Sequence, residues 1–140
     1  MVKHIKRIRI LFSNSYKWAG EWDSVKQEFS YIDKDNMNAD DAVQVMIHEV
    51  DGHAFWDWAM EWRREERYAF AELANKMPPV NDYVKKYEFK KINGSLNSIY
   101  ENEQHSAVTE LMVHGSSYHK QLISESDLAK LKEAWKALHY

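Results

Sequence analysis

The 140-residue chain has no cysteine, two prolines and four glycines. Without cysteine there is no disulfide and no thiolate metal site, so a bound metal would have to sit on histidine and carboxylate. So little proline and glycine speaks against a long linker or a disordered segment. No apolar run approaches the roughly 20 residues of a membrane helix, and the N-terminus Met1–Ile10 lacks the apolar core of a secretory signal. The expectation is a cytoplasmic chain without membrane contact. A net charge of −3, with both signs interspersed, argues against a nucleic-acid partner.

What the chain does have is aromatic side chains, six Trp and eight Tyr among them, which predicts a ring-rich core. The length suits one domain, residues 1–140, burying about two-thirds of its unfolded surface. Ile5 to Phe12 alternates in part and reads as a strand with one face buried; Ser13-Asn14-Ser15 breaks it. Val25 to Ile32 alternates again and reads as a partly exposed edge strand, followed by a loop at Asp33–Asn36. Asn38 can cap a helix whose first turn carries Asp40 and Asp41. That helix is expected to run to Lys76, where Pro78-Pro79 ends it, with a bend near Gly52 or after Trp62. Asn93-Gly94 marks a turn, and Ser98 with Glu101 forms a capping box for a helix that stops at Gly115. A last helix starts near Ser126-Asp127. The fold class is α+β: a small N-terminal antiparallel sheet packed on a central helix, with a second motif helix and a C-terminal helix.

The central helix contains Val45-Met46-Ile47-His48-Glu49-Val50-Asp51-Gly52-His53-Ala54-Phe55-Trp56, where ionisable groups interrupt a run that otherwise reads as buried. A neutral imidazole is a good zinc ligand, and a carboxylate beside it can take a proton from metal-bound water. The short form of this pattern, His-Glu-x-x-His, places its histidines one helical turn apart. Here one residue more separates them. At about 100° per residue His48 and His53 lie about 140° apart on a regular α-helix, too splayed to share an ion. If they share one, the helix must take up the extra residue as a π-bulge. Gly52 suits that distortion by lacking a Cβ, and Asp51 would point to water.

The motif His48-Glu49-Val50-Asp51-Gly52-His53 resembles the long His-Glu-x-x-Gly-His form of the dipeptidyl peptidase III family, a gluzincin; with Asp51 removed it resembles the zincin metallopeptidases at large. Gluzincins take a third ligand from a later helix, often within Asn-Glu-x-x-Ser/Ala-Asp, and Asn102-Glu103-Gln104-His105-Ser106 matches the first part of that pattern. The chain departs at Ala107, where the family's Asp orients a ligand histidine; Glu110 or Asp57 are the substitutes at hand. The resemblance implies one zinc on His48, His53 and Glu103, with water in the open fourth position and Glu49 as general base in peptide-bond hydrolysis. Oxyanion donors would come from Tyr118, His114 or His119, and a peptide or protein substrate would add to an edge strand such as Val25 to Ile32. His105 is the competing third ligand, although it lies about 200° around its helix from Glu103. His119 or His139 near the metal would make the enzyme latent. An inactive zincin-like binding or regulatory domain is the alternative, and a fold without metal the third.

Overall fold

A computed structural model of the chain describes residues 5–12, 19–34, 37–77 and 96–140, with the side chains of 96–99 and 121 left aside. The breaks at Ser13–Ser15 and Pro78-Pro79 and the Asn93-Gly94 turn lie outside this description, as does part of the Asp33–Asn36 loop; Ser98, expected as a helix N-cap, instead lies inside a helix that already runs from Leu96. The architecture is α+β. Three strands come first: β1 (Arg7–Phe12), β2 (Gly20–Asp23) and β3 (Glu28–Asp33). The helical part follows with α1 (Ala39–Met46), a π-helical segment (Ile47–Ala54), α2 (Phe55–Trp62), α3 (Arg64–Asn75), α4 (Leu96–Val113) and α5 (Glu125–His139).

The sheet is mixed, in the order β1-β3-β2, and corrects the expected antiparallel arrangement. β2 pairs antiparallel with β3, whereas β1 pairs parallel with it, Arg7 opposite Glu28 and Phe12 opposite Asp33. The reason is topological: the chain passes from β1 to the far edge and turns back between them, so two reversals restore the direction. Val25 to Ile32 is likewise not an edge strand. Its first three residues belong to the β2–β3 turn, where the Asp23 carboxylate accepts the Val25 and Lys26 amides, each at 3.0 Å. The remainder, β3, is central, with Phe29 and Ile32 both buried. β1 departs too: Ile8, Ile10 and Phe12 are exposed among the described residues, so this strand does not bury the face its alternation suggested.

α1 starts as expected. The Asn38 side chain accepts from the Asp41 amide at 2.9 Å, and the Asp41 carboxylate accepts from the Asn38 amide at 3.2 Å, a reciprocal capping box. The long helical run is interrupted twice, by the π segment around Gly52 and by Arg63, whose φ of −137° and ψ of 45° leave the helix after Trp62. α5 begins at Glu125 behind a Ser124 cap, close to the expected start.

The main core lies between α2, α3, α4 and α5, built from Phe55, Trp56, Phe70, Val108, Leu131, Trp135 and Leu138 among others. Fully burying each large side chain contributes about 1.5–3 kcal/mol. Two histidines are embedded here. His105 faces away from Glu103, as its helical position requires, and its Nε2 lies 2.9 Å from Nε2 of His139. Both rings stack on Phe55, and His139 also on Trp135 at 4.1 Å. The tail histidine is therefore locked into the core on the side of α4 opposite Glu103. Burial, with Arg63 nearby, pushes His139 down to about 4, and burial followed by the charge of His139 holds His105 well below the ordinary range.

A depressed folded-state value means that the neutral pair contributes its full stability above about pH 6.5, the unfolded value, and loses it as the pH falls from there towards about 4. Denaturant titrations should show His139→Gln losing less stability than the parent over that interval, by on the order of 2 kcal/mol. Parallel acid limbs for the two proteins would refute this.

Candidate metal centre

The site forms where the π segment crosses α4. An α-helix would place His48 and His53 on different faces. From Ile47 to Ala54 the backbone instead winds as a π-helix, the Phe55 amide directed to the Val50 carbonyl five residues back. The wider turn absorbs the extra residue, and the two imidazoles come to one side with Nε2 atoms 3.1 Å apart. Gly52 serves this arrangement differently from the sequence expectation. It lies where α4 approaches most closely, and a Cβ built on it would fall 2.4 Å from the Ser106 hydroxyl and 3.0 Å from Ser106 Cα. Asp51 is half-buried rather than turned wholly to water, and burial pushes its carboxyl up.

α4 supplies the opposing face. Asn102, Glu103, Ser106 and Glu110 fall within about 100° of helical arc and all meet the π segment or α1. Glu103 reaches both histidines, with Oε1 3.3 Å from His53 Nε2 and Oε2 3.6 Å from His48 Nε2. Around an ion with ligand bonds of about 2.0–2.1 Å, tetrahedral geometry separates ligand atoms by about 3.4 Å. The two ring nitrogens, 3.1 Å apart, are near that spacing, and each has a different Glu103 oxygen 3.3 or 3.6 Å away, so the carboxylate spans the pair.

The outer ring nitrogens are also committed. His53 Nδ1 donates to Asn102 Oδ1 at 2.7 Å, with the Ser106 hydroxyl 3.3 Å away, so Asn102 and Ser106 of the motif both hold this ring. His48 Nδ1 donates to Glu110 at 3.0 Å. Glu110 thus does the work expected of an Asp at position 107. Seven residues after Glu103, it lies in the same row of the helix, two turns on. Asp57, the other substitute considered, accepts instead from the Trp22 indole at 2.6 Å. Two residues missed in the sequence complete the support: Gln44 donates to Glu110 at 3.1 Å, and Ser117 donates to it at 3.1 Å. Gln44, one helical turn before His48, was the available signal.

With each Nδ1 donating outward, a neutral imidazole presents its Nε2 lone pair inward. Two lone pairs and a carboxylate then face one point and require positive charge there. Burial opposes ionisation of Glu103, yet His53 and then His48 hold it down at about 2; burial likewise opposes charge on His53, but Glu103 and then Glu49 raise it to about 10. Glu110 also stays below the usual carboxylate range, because the His48 and Gln44 hydrogen bonds outweigh the effect of burial. Without a metal, a proton on His53 answers this demand, as its raised value shows; a divalent cation would answer it with bonds to all three groups. His48, His53 and Glu103 therefore could hold a metal ion.

Glu49 lies in the same cluster, its ligand atom within 4.8 Å of those of His48 and His53. It is buried against β2, where a Cβ at Gly20 would meet Glu49 Cγ at 3.0 Å. Burial pushes its carboxyl up despite the pull of His53 and His48. Of the three oxyanion candidates, His119 is the one in the cluster: His48, Glu103 and His119 offer ligand atoms within 4.8 Å of one another. Tyr118 donates to Asp41 at 3.2 Å, and His114 lies 2.9 Å from Asp40, which engages both with the start of α1.

Substituting Glu110→Gln should lower divalent-cation affinity by about 10-fold or more, since the His48 tautomer loses its anionic partner, whereas Asp57→Asn should leave it unchanged. Calorimetric titration of both variants checks the assignment, and equal affinities would reject it. No protein-family model, no curated protein and no solved structure matches this chain.

Proposed function

We propose that the chain is a small zinc-dependent metallopeptidase of gluzincin type. The observation that carries this reading is the convergence of His48 Nε2, His53 Nε2 and the Glu103 carboxylate within 3.6 Å of one another, with both Nδ1 atoms hydrogen-bonded outward. A set of two histidines and one carboxylate without thiolate suits zinc in a catalytic rather than a structural setting. Zinc held there supplies a Lewis acid that lowers the pKa of a water molecule and polarises a peptide carbonyl.

The chain's own groups do the rest. Glu49, adjoining His48 and buried beside the ligands, accepts a proton from the attacking water. Its raised affinity for that proton suits a group that must then hand it to the leaving amine. Glu110, Asn102 and Ser106 keep the histidines in the tautomer that ligation needs. The substrate would lie along β2. Among the described residues the outer edge of β2 pairs with no strand, and Gly20 brings this strand within contact of Glu49. A peptide added antiparallel to that edge would present its backbone to Glu49 by main-chain hydrogen bonds. β2 replaces the segment Val25 to Ile32 in this role, since the ladder on both sides of β3 is occupied.

Glu49→Gln keeps the size of the side chain and removes the base. Zinc content should remain at the parent level while peptide hydrolysis falls by roughly 10²-fold or more. Hydrolysis at the parent rate in the zinc-loaded variant would exclude Glu49 and with it this mechanism.

A further inference from the structure

The mechanism above leaves one member of the cluster without a task. His119 belongs to neither motif helix. It arrives on the segment that follows α4, and that segment is fastened at every step. Gly115 turns the chain with a φ of +94°, a conformation that favours glycine, while its amide and that of His114 both return to the Glu110 carbonyl. His114 and Tyr118 engage Asp40 and Asp41 on the first turn of α1. Ser117 donates to the Glu110 carboxylate at 3.1 Å and accepts the His119 amide at 3.1 Å. The carboxylate that orients His48 therefore also anchors the residue beside which His119 sits. The His119 ring lies 5.0 Å from the His48 ring, centre to centre, and a ring nitrogen falls within 4.8 Å of ligand atoms on both His48 and Glu103.

Resting on the zinc reading, we propose that His119 is a fourth protein ligand which closes the metal site in the resting chain. The segment Gly115–His119 is then a strap held across the start of α1, and the site becomes competent for a substrate carbonyl when the strap lets His119 withdraw. Three protein ligands leave a position for water or substrate, whereas four fill a tetrahedral ion. Latency of this kind needs no separate inhibitory domain. The contacts of Tyr118 and His114 with Asp41 and Asp40 are where it is set, at the protein surface and outside the ligand set.

Cobalt(II) in place of zinc reports the coordination sphere by its visible absorption, independently of turnover, and azide is a small anion that enters only an open position. The cobalt spectrum of the parent protein should be insensitive to azide, and that of His119→Ala should respond to it. Zinc affinity of His119→Ala should fall by more than the roughly 10–100-fold that loss of an outer hydrogen-bond partner costs. His119→Gln, closer in size, guards against a folding defect and should respond to azide in the same way. An azide-sensitive parent spectrum, or unchanged zinc affinity in both variants, would overturn the closure while leaving the three-ligand site intact. Failure of the parent to take up cobalt or zinc at all would overturn the closure and the zinc reading together.

Discussion

A methyl group on Gly52 would sit 2.4 Å from the Ser106 hydroxyl and 2.9 Å from Ser106 Cβ, so α4 can lie against the π segment only because position 52 has no side chain. That approach brings Asn102, Glu103 and Ser106 within reach of His53, and Glu103 and Glu110 within reach of His48. The π turn determines where the histidines point, and the crossing determines what they meet. Gly20 repeats the device on the other side, where a Cβ would fall 2.5 Å from Val45 and 3.0 Å from Glu49 Cγ. Two glycines of the four in the chain thus clamp one helical turn between α4 and β2.

The electrostatics follow from this packing. Glu49, Glu103, Glu110, His48 and His53 are at most slightly exposed, and burying so many ionisable groups is favourable only when each charge has a partner. Glu110 receives His48, Gln44 and Ser117, while Glu103 lies against two ring nitrogens. Glu49 has no such set of strong donors, and its carboxyl is the one pushed up. One cluster therefore contains two carboxylates held ionised beside a third whose carboxyl is pushed up, the contrast that the proposed reading assigns to binding and to proton exchange.

Much of this was legible in the sequence. The five-residue spacing of His48 and His53 required a distorted helix if both were to face one ion, and a π segment does occur there. The Asn102-Glu103-x-x-Ser106 pattern and the 3.6-residue period together favoured Glu103 over His105, and the two do point to opposite sides of α4. Glu110 was one of two substitutes for the missing Asp, and its row on the helix, unlike that of Asp57, decides the matter. The sheet was read less well, because alternation shows that a strand has two faces but not which neighbour it pairs with or which face is covered. Ile8, Ile10 and Phe12 alternate well and yet are exposed, and Val25 alternates well and yet lies in a turn. Ser117 and the fastening of Tyr118 and His114 to α1 depend on long-range contacts that no local pattern encodes, whereas Gln44 left one local sign in its place a helical turn before His48.

The central claim is that the π turn places both histidines on one ion together with Glu103. Zinc analysis of the purified chain, loaded and then freed of excess metal, tests this most directly when His48→Ala, His53→Ala, Glu103→Ala and His105→Ala are compared with the parent. The account predicts about one equivalent in the parent and in His105→Ala, and loss of that zinc from each of the other three. Retention of one equivalent in His53→Ala, or loss from His105→Ala with retention in Glu103→Ala, would contradict it.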